Sequence, residues 1–388
     1  MSLSSNARKP EVTYGIILAL LTCAVLGPIT ARNVLANNTD YPMHLQVTGD
    51  MLQQHALLAP WFLWNVTVIA IKLLLPIVSM RTAGVIATIG YNVLTTAVTY
   101  YVLIKLSSAT TKLAVGLCAL SALLLSIIEP ISIFTYPSLY FGYVIPNAWH
   151  NSTIVTLKPF ALATFLGLVT LLECVRIDLR RLAIASAASA LSVIAKPSYA
   201  ICILPVGIIV AALRGPRKFV AAVALFLPTV ALLGWQFALH YAAVGKNKIV
   251  LYPFYTFLCY GGFHLNDLAY RFLMSIAYPL LAYVIFQAAR RSMFVNLAWA
   301  TFAFAAFLSY FMVEEVMSPH SFDCSGNFAW SGQIASFILF VATTAFVIGR
   351  IDRRDIDWRM WLTGGAFGLH IISGIAFYIR ILIKPWPP

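Results

Sequence analysis

Apolar runs of about 20 residues recur along the whole chain, separated by short polar connections. The first covers Val12 to Ile29, and others fall at 61–80, 82–104, 113–128, 131–146, 154–173, 182–213, 219–242, 271–289, 293–312, 328–349 and 360–383. A helix needs about 20 residues to cross the roughly 30 Å hydrocarbon layer of a bilayer, so these runs read as membrane helices. They lack the polar–apolar alternation of a membrane β-barrel. Lys196-Pro197 interrupts 182–213, which is expected to form two short crossings because proline cannot continue the helical ladder. Segments 113–128 and 131–146 are short and meet at Glu129-Pro130. The pattern predicts an all-α, polytopic transmembrane bundle of about 11–13 spans, in one domain covering residues 1–388.

Composition agrees. The 388 residues are 61% hydrophobic and only 10% charged, with a mean hydropathy of +0.86. A soluble chain carries about a quarter charged residues, so most of this surface must face lipid. The net charge of +13 is scattered as short Arg/Lys groups between apolar runs, which excludes a nucleic-acid face. Placing the basic groups on the inner side gives a cytoplasmic N-terminus, with Arg81 inside between two crossings and Lys72 within a span. No small-residue cleavage site follows Val12–Ile29, so that run is expected to remain as the first helix. Most of the six cysteines sit in apolar runs without metal-ligand spacing; only Cys259 and Cys324 fall in predicted loops where a bridge is conceivable.

This threading sends four polar stretches to one outer face: NNTDYPMHLQVTGD (37–50), IPNAWHNST (145–153), the 243–270 connection, and EEVMSPHSFDCSGNFAW (314–330). They hold Asp40, Asp50, Asp267, Glu314, Glu315 and Asp323, and His44, His150, His264 and His320, with His55 in the same first connection and His240 at a helix end beside them. Ionisable groups beside a membrane are costly and mark sites or pathways, so one aromatic-rimmed polar cavity is expected there. From Pro42, apolar positions at Met43, Val47, Met51 and Leu52 predict an amphipathic helix within the first outer connection, residues 32–60.

Within that cavity Asp40 has two compatible readings, a general base for a hydroxyl and an N-cap for the helix behind it. His44, Asp50, His150, Glu314 and Glu315 are further acid–base candidates. Lys158, Lys196, Arg271 and Arg380 are candidates to hold a phosphate, or else to snorkel to lipid headgroups. Trp149, Asn151, His264, His320, Asn327 and Trp330 are candidates for sugar or acceptor contacts, with Trp61 and Trp64 as further aromatic surfaces. His320 and Asp323 beside the paired glutamates make a divalent metal conceivable without diagnostic spacing. No Gly-rich phosphate loop, HExxH or GxSxG is present, which argues against ATP-driven transport and cytosolic nucleotide-sugar chemistry.

The retained first helix, the acid in the first outer connection and the interfacial helix behind it resemble the GT-C superfamily of integral-membrane glycosyltransferases. IPNAWHNST, KPF (158–160), KPS (196–198) and NFAWSG (327–332) also resemble blocks in bacterial multispanning proteins of cell-surface polysaccharide loci. The resemblance implies a bacterial inner-membrane protein with a periplasmic active face and Asp40 as base, Asp50 standing in reserve. It implies a polyprenyl-phosphate sugar as donor, a glycan or glycolipid acceptor, inversion at the anomeric carbon, and no nucleotide. Competing readings are an O-antigen-type polymerase or ligase, a lipid-linked sugar transporter or flippase, and an acyltransferase using His370. The first would carry outer-loop arginines, and the second mid-membrane charges and related halves.

Overall fold

The computed structural model describes residues 12–132, 142–239, 248–258, 265–315 and 327–384. The chain starts with α1 (Val12–Leu35), α2 (Tyr41–Gln54), α3 (Leu63–Leu74), α4 (Met80–Ser107) and α5 (Lys112–Leu125). Then come α6 (Ser152–Glu173), α7 (Leu179–Ala195), α8 (Ser198–Leu213) and α9 (Pro216–Phe237). A strand β1 (Lys248–Leu251) and the short α10 (Tyr255–Leu258) precede α11 (Leu265–Ser275), α12 (Ala277–Ile285), α13 (Gln287–Arg291) and α14 (Met293–Phe311). The chain closes with β2 (Met312–Glu315), α15 (Ala329–Asp352) and α16 (Trp358–Ile383).

The fold is a polytopic helical bundle. Among the described residues seven helices are long and apolar enough to cross a membrane: α1, α4, α6, α9, α14, α15 and α16. The pair α11 and α12, bent by 69° at Ile276, is either an eighth, broken span or a re-entrant loop. The remaining longer helices are too short to reach across on their own, which is why this number falls below the 11–13 expected. The α15 helix is the central post, 89% buried over its apolar window, against 28% for α1 and α16. It is buried on nearly every side and mostly apolar around its whole circumference, as suits a helix enclosed by other helices. Small residues set the closest approaches. At Gly167 of α6 an added Cβ would meet the Ala185 Cβ of α7 at 2.4 Å. Side-chain hydrogen bonds tie further pairs, with Asn92 donating to Thr30 Oγ1 at 3.1 Å and Ser189 bonded to Thr229 at 2.7 Å.

Two parts of the expected threading are corrected. Residues 61–104 do not make two crossings with Arg81 on the far side. The α3 helix has only 12 residues and folds back on α4. Arg81 donates to Asn37 Oδ1 at 3.1 Å, so it shares an end with the first connection. Pro76 lies in the intervening turn, and Ser79 restarts the helix by accepting from Thr82 N. Lys72 is not held mid-membrane; its ammonium donates to the carbonyls of Pro76 and Val78. Nor do the described residues of the expected 131–146 span, 131–132 and 142–146, form a helix beside α5. The α5 helix is anchored at its start, where Asp352 takes both hydroxyls and both amides of Thr110 and Thr111.

After α5 the described backbone, 126–132 and 142–151, is irregular and almost wholly buried. Irregular backbone at membrane depth survives only inside protein, where its polar groups find partners. Here Glu129 N donates to His370 O, Ile131 N to Met274 O, and Val144 N to Ser275 Oγ. The expected break at Lys196-Pro197 is present, between α7 and α8. The helix expected in 32–60 is α2. The antiparallel β1–β2 ribbon, in register from Lys248 with Glu315 to Leu251 with Met312, had no counterpart in the hydropathy pattern.

Gly374 lets α16 lie against the irregular segment, because an added Cβ would sit 1.8 Å from Ile127 O. Gly374→Ala is expected to destabilise the bundle by about 1–3 kcal/mol or more, since backbone must move. Gly364→Ala on the same helix meets nothing within 4 Å and is expected to leave stability nearly unchanged. Thermal unfolding of both variants in detergent checks the contrast.

Candidate functional site

One end of the bundle gathers the first connection, the start of α6, the α7–α8 break, the end of α14 and the start of α15. Asp40 sits at the N-terminal boundary of α2 yet makes no capping bond. Its Oδ2 instead accepts from Asn151 Nδ2 at 2.6 Å. Asn151 does the capping that Asp40 does not, its Oδ1 accepting from Ile154 N at 3.0 Å to start α6. One asparagine thus fixes a helix start with one end of its amide and orients a carboxylate with the other.

Lys196 is the second fixed point. It is the C-terminal boundary residue of α7, held there because Pro197 ends the ladder. Its side chain is buried, donates to Thr153 Oγ1 at 3.1 Å and lies 4.8 Å from the Trp330 ring centre. Asp40 and Glu314 are the carboxylates whose charge acts on it. Glu314 Oε2 accepts from Asn327 Nδ2 at 3.0 Å, joining β2 to the approach of α15. The His150 ring stands 5.7 Å from Trp330. His44, one turn into α2, packs edge-on to Trp64 at 6.2 Å and carries its backbone carbonyl to Thr48 and Asn65.

A cavity of about 560 Å³ opens beside this cluster. Lys196, Glu314 and Asn327 supply its polar wall, with Gln236 and Trp61 nearby. The rest is apolar, formed by Ile201 and Leu204 of α8 and Val230, Leu233 and Gly234 of α9. Val230 is 51% exposed and Phe237 56%, so the groove is continuous with a flank of the bundle that lies open. A charged head beside a lipophilic channel suits an amphiphile.

The structure therefore unites Asp40, His44, His150, Asn151, Lys196, Glu314, Asn327 and Trp330. Other expected residues fall elsewhere. Asp50 lies on the side of α2 away from its buried positions, and His55 is exposed at that helix's end. Trp149 is core, stacked on Phe377 at 5.9 Å with Nε1 donating to Ser126 O. Trp64 is likewise core, donating to Thr88. Arg271 lies over the Tyr143 ring at 5.5 Å, and Arg380 is in the last turn of α16. For Glu315 the backbone register opposite Lys248 is described. His240, His264, His320, Asp323, Cys259 and Cys324 lie outside the described residues. No group of three His, Cys, Asp or Glu side chains able to hold a metal occurs among the described residues.

Lys158 departs furthest from expectation. It does not line the cavity. It is buried in the middle of the bundle, donating to Asn147 Oδ1, with its ammonium 4.4 Å from the Phe337 ring centre. Asn147 in turn donates to Leu125 O and Ile128 O. Close by, Glu129 is wholly buried, and its carboxylate oxygens have no hydrogen-bond partner among the described residues. The Lys158 charge is the one that favours its ionised form. The sequence held a signal for Glu129, a lone acid inside an apolar stretch. His370, also central, is a satisfied core residue, with Nδ1 2.8 Å from Glu129 O and Nε2 accepting from Tyr278 N.

No known protein family, curated protein or solved structure matches this chain.

Burial lowers the His44 pKa to about 4, with Lys196 adding to the shift and Asp40 opposing it. His44 stays neutral in the folded protein while the unfolded chain takes up a proton near pH 6.5. Its contribution is complete above that pH and is lost as pH falls toward about 4. Unfolding measured from pH 7 to pH 4 is expected to show a fall in stability to which His44 adds up to about 1.4 kcal/mol per pH unit. His44→Asn removes that contribution to the slope.

Proposed function

We propose that the chain is a membrane glycosyltransferase that moves a sugar from a polyprenyl-phosphate carrier to a glycan or glycolipid acceptor. The observation that carries this reading is the amphiphilic cavity, where Lys196 and Glu314 stand at the polar end of an apolar groove and the charge of Asp40, outside the lining, acts on Lys196. In this reading the carrier chain enters between α8 and α9. Lys196 neutralises the phosphate and stabilises it as the leaving group. Asn151 holds Asp40 Oδ2, leaving Oδ1 to take the proton of an acceptor hydroxyl. The acceptor oxygen then attacks the anomeric carbon opposite the phosphate; the C–O bond to phosphate breaks, and the configuration inverts. Trp330 and Asn327 border the space for the sugar. The reading places this end of the bundle on the periplasmic face of a bacterial inner membrane, with the basic clusters of α7, α9 and α15 in the cytoplasm.

A second reading, a lipid-linked sugar transporter, is favoured by the buried Glu129, Lys158 and His370 in mid-bundle. Buried ionisable groups at membrane depth are a feature of transport pathways.

Purified protein in liposomes, given a polyprenyl-phospho-hexose and a glycan acceptor, separates the two. Asp40→Asn is expected to lower transfer about 10²–10⁴-fold with folding retained, and Glu129→Gln to leave the chemical step intact. Full activity in Asp40→Asn excludes Asp40 as base. Carrier translocation without transfer in the unmodified protein supports the transporter instead. Gly234→Leu, at a position with nothing within 4 Å, is expected to raise KM for a long-chain donor severalfold with kcat little changed. A short-chain donor should show a smaller effect.

A further inference from the structure

A second cavity, about 600 Å³, opens at the other end of the bundle. It is formed by the end of α4, the last turns of α6 and the first turns of α7. The two cavities share no lining residue, one lying at the C-terminal end of α7 and the other at its start, so they are separate sites.

The rim of this crevice is basic. Lys105, Arg176 and Arg181 face one acid, Asp178. Arg181 pairs with Asp178 at 3.3 Å. The Lys105 ammonium lies 5.5 Å from the Tyr101 ring centre, and neither it nor Arg176 has an ion-pair partner among the described residues. The neighbouring Lys218 is committed elsewhere, closing α6 by donating to the carbonyls of Leu171 and Cys174. Below the rim the walls are apolar, with Leu166, Leu182 and Leu225 among them. Beside the rim, Val175 is 98% exposed, Leu179 78% and Ile184 59%, alternating with the arginines. Exposed aliphatic side chains next to cations mark the boundary between hydrocarbon and headgroups.

We propose that this crevice is a binding site for an anionic membrane phospholipid. Its phosphate is held by Lys105 and Arg176, and an acyl chain lies against Leu166, Leu182 and Leu225. The excess of cations over the single acid selects negative headgroups over zwitterionic ones, and the apolar wall selects a lipid over a free phosphate. The site does not depend on the transferase reading.

Delipidated full-length protein in detergent, titrated with phosphatidylglycerol, phosphatidylcholine or glycerol phosphate and read by native mass spectrometry, tests this. The unmodified protein is expected to prefer phosphatidylglycerol and to bind glycerol phosphate weakly. Lys105→Gln with Arg176→Gln is expected to weaken phosphatidylglycerol binding about fivefold per cation. Arg217→Gln, at the same end but outside the crevice, should keep the preference. Leu182→Trp fills the crevice with the cations intact and should also lose binding, which covers the case of a misfolded double variant. Equal binding of the two phospholipids overturns the proposal. So does undiminished binding in the folded variants, or glycerol phosphate binding as tightly as the lipid.

Discussion

A buried ammonium must be neutralised and hydrogen-bonded, or the fold loses several kcal/mol. Lys196 meets that demand with groups from four places in the chain. Thr153 accepts a hydrogen bond from it, Trp330 gives it a ring face, and Asp40 and Glu314 supply opposing charge. These ties draw the start of α6, the start of α15, the first connection and β2 toward the α7–α8 break. Removing Lys196 would take away the cation on which both carboxylates act. The same arrangement places the Lys196 cation in the wall of an apolar groove. The fold's electrostatic need and the proposed chemistry therefore rest on one residue.

The bundle accommodates this by putting its irregular backbone inside. Residues 126–132 and 142–151 carry Asn147, His150 and Asn151 into the interior, and amides and carbonyls among them are met by α16, α11 and one another. The α15 helix, buried on all sides, is the surface on which the Lys158 and Lys196 ring contacts are made, through Phe337 and Trp330. The opposite end is held by a different device, Arg350 paired with Asp355 at 2.9 Å and Asp357 at 3.7 Å. Charges at the two ends thus do separate work.

Much of this was legible in hydropathy. The helical bundle, α2, and the break at Lys196-Pro197 follow from apolar periodicity and proline chemistry. The convergence of Asp40, His150, Asn151, Lys196 and Glu314 followed from where polar stretches interrupt apolar runs. What failed did so for physical reasons. Arg81 resembled a cytoplasmic anchor, but basic residues also bond loop carbonyls and amides, as Arg81 does with Asn37. Apolar composition did not separate a full crossing from the half-length α3, which stops before Pro76 while Ser79 caps the next helix, or from α5, which starts at a Thr111 cap. Lys158 looked like a phosphate ligand because its partners, Asn147 and Glu129, reach it only through tertiary packing. The α8–α9 groove is a property of helix placement and leaves no local pattern.

The central claim is that Lys196 heads a groove built for a lipid phosphate. A polyprenyl phosphate carrying a photoreactive group on its chain, cross-linked to the full-length protein and mapped by peptide mass spectrometry, tests it most directly. Labelling of 198–213 and 216–237, competed by unmodified polyprenyl phosphate, is the predicted result. Labelling that excess carrier does not compete, or that falls only on the crevice between α4, α6 and α7, contradicts it.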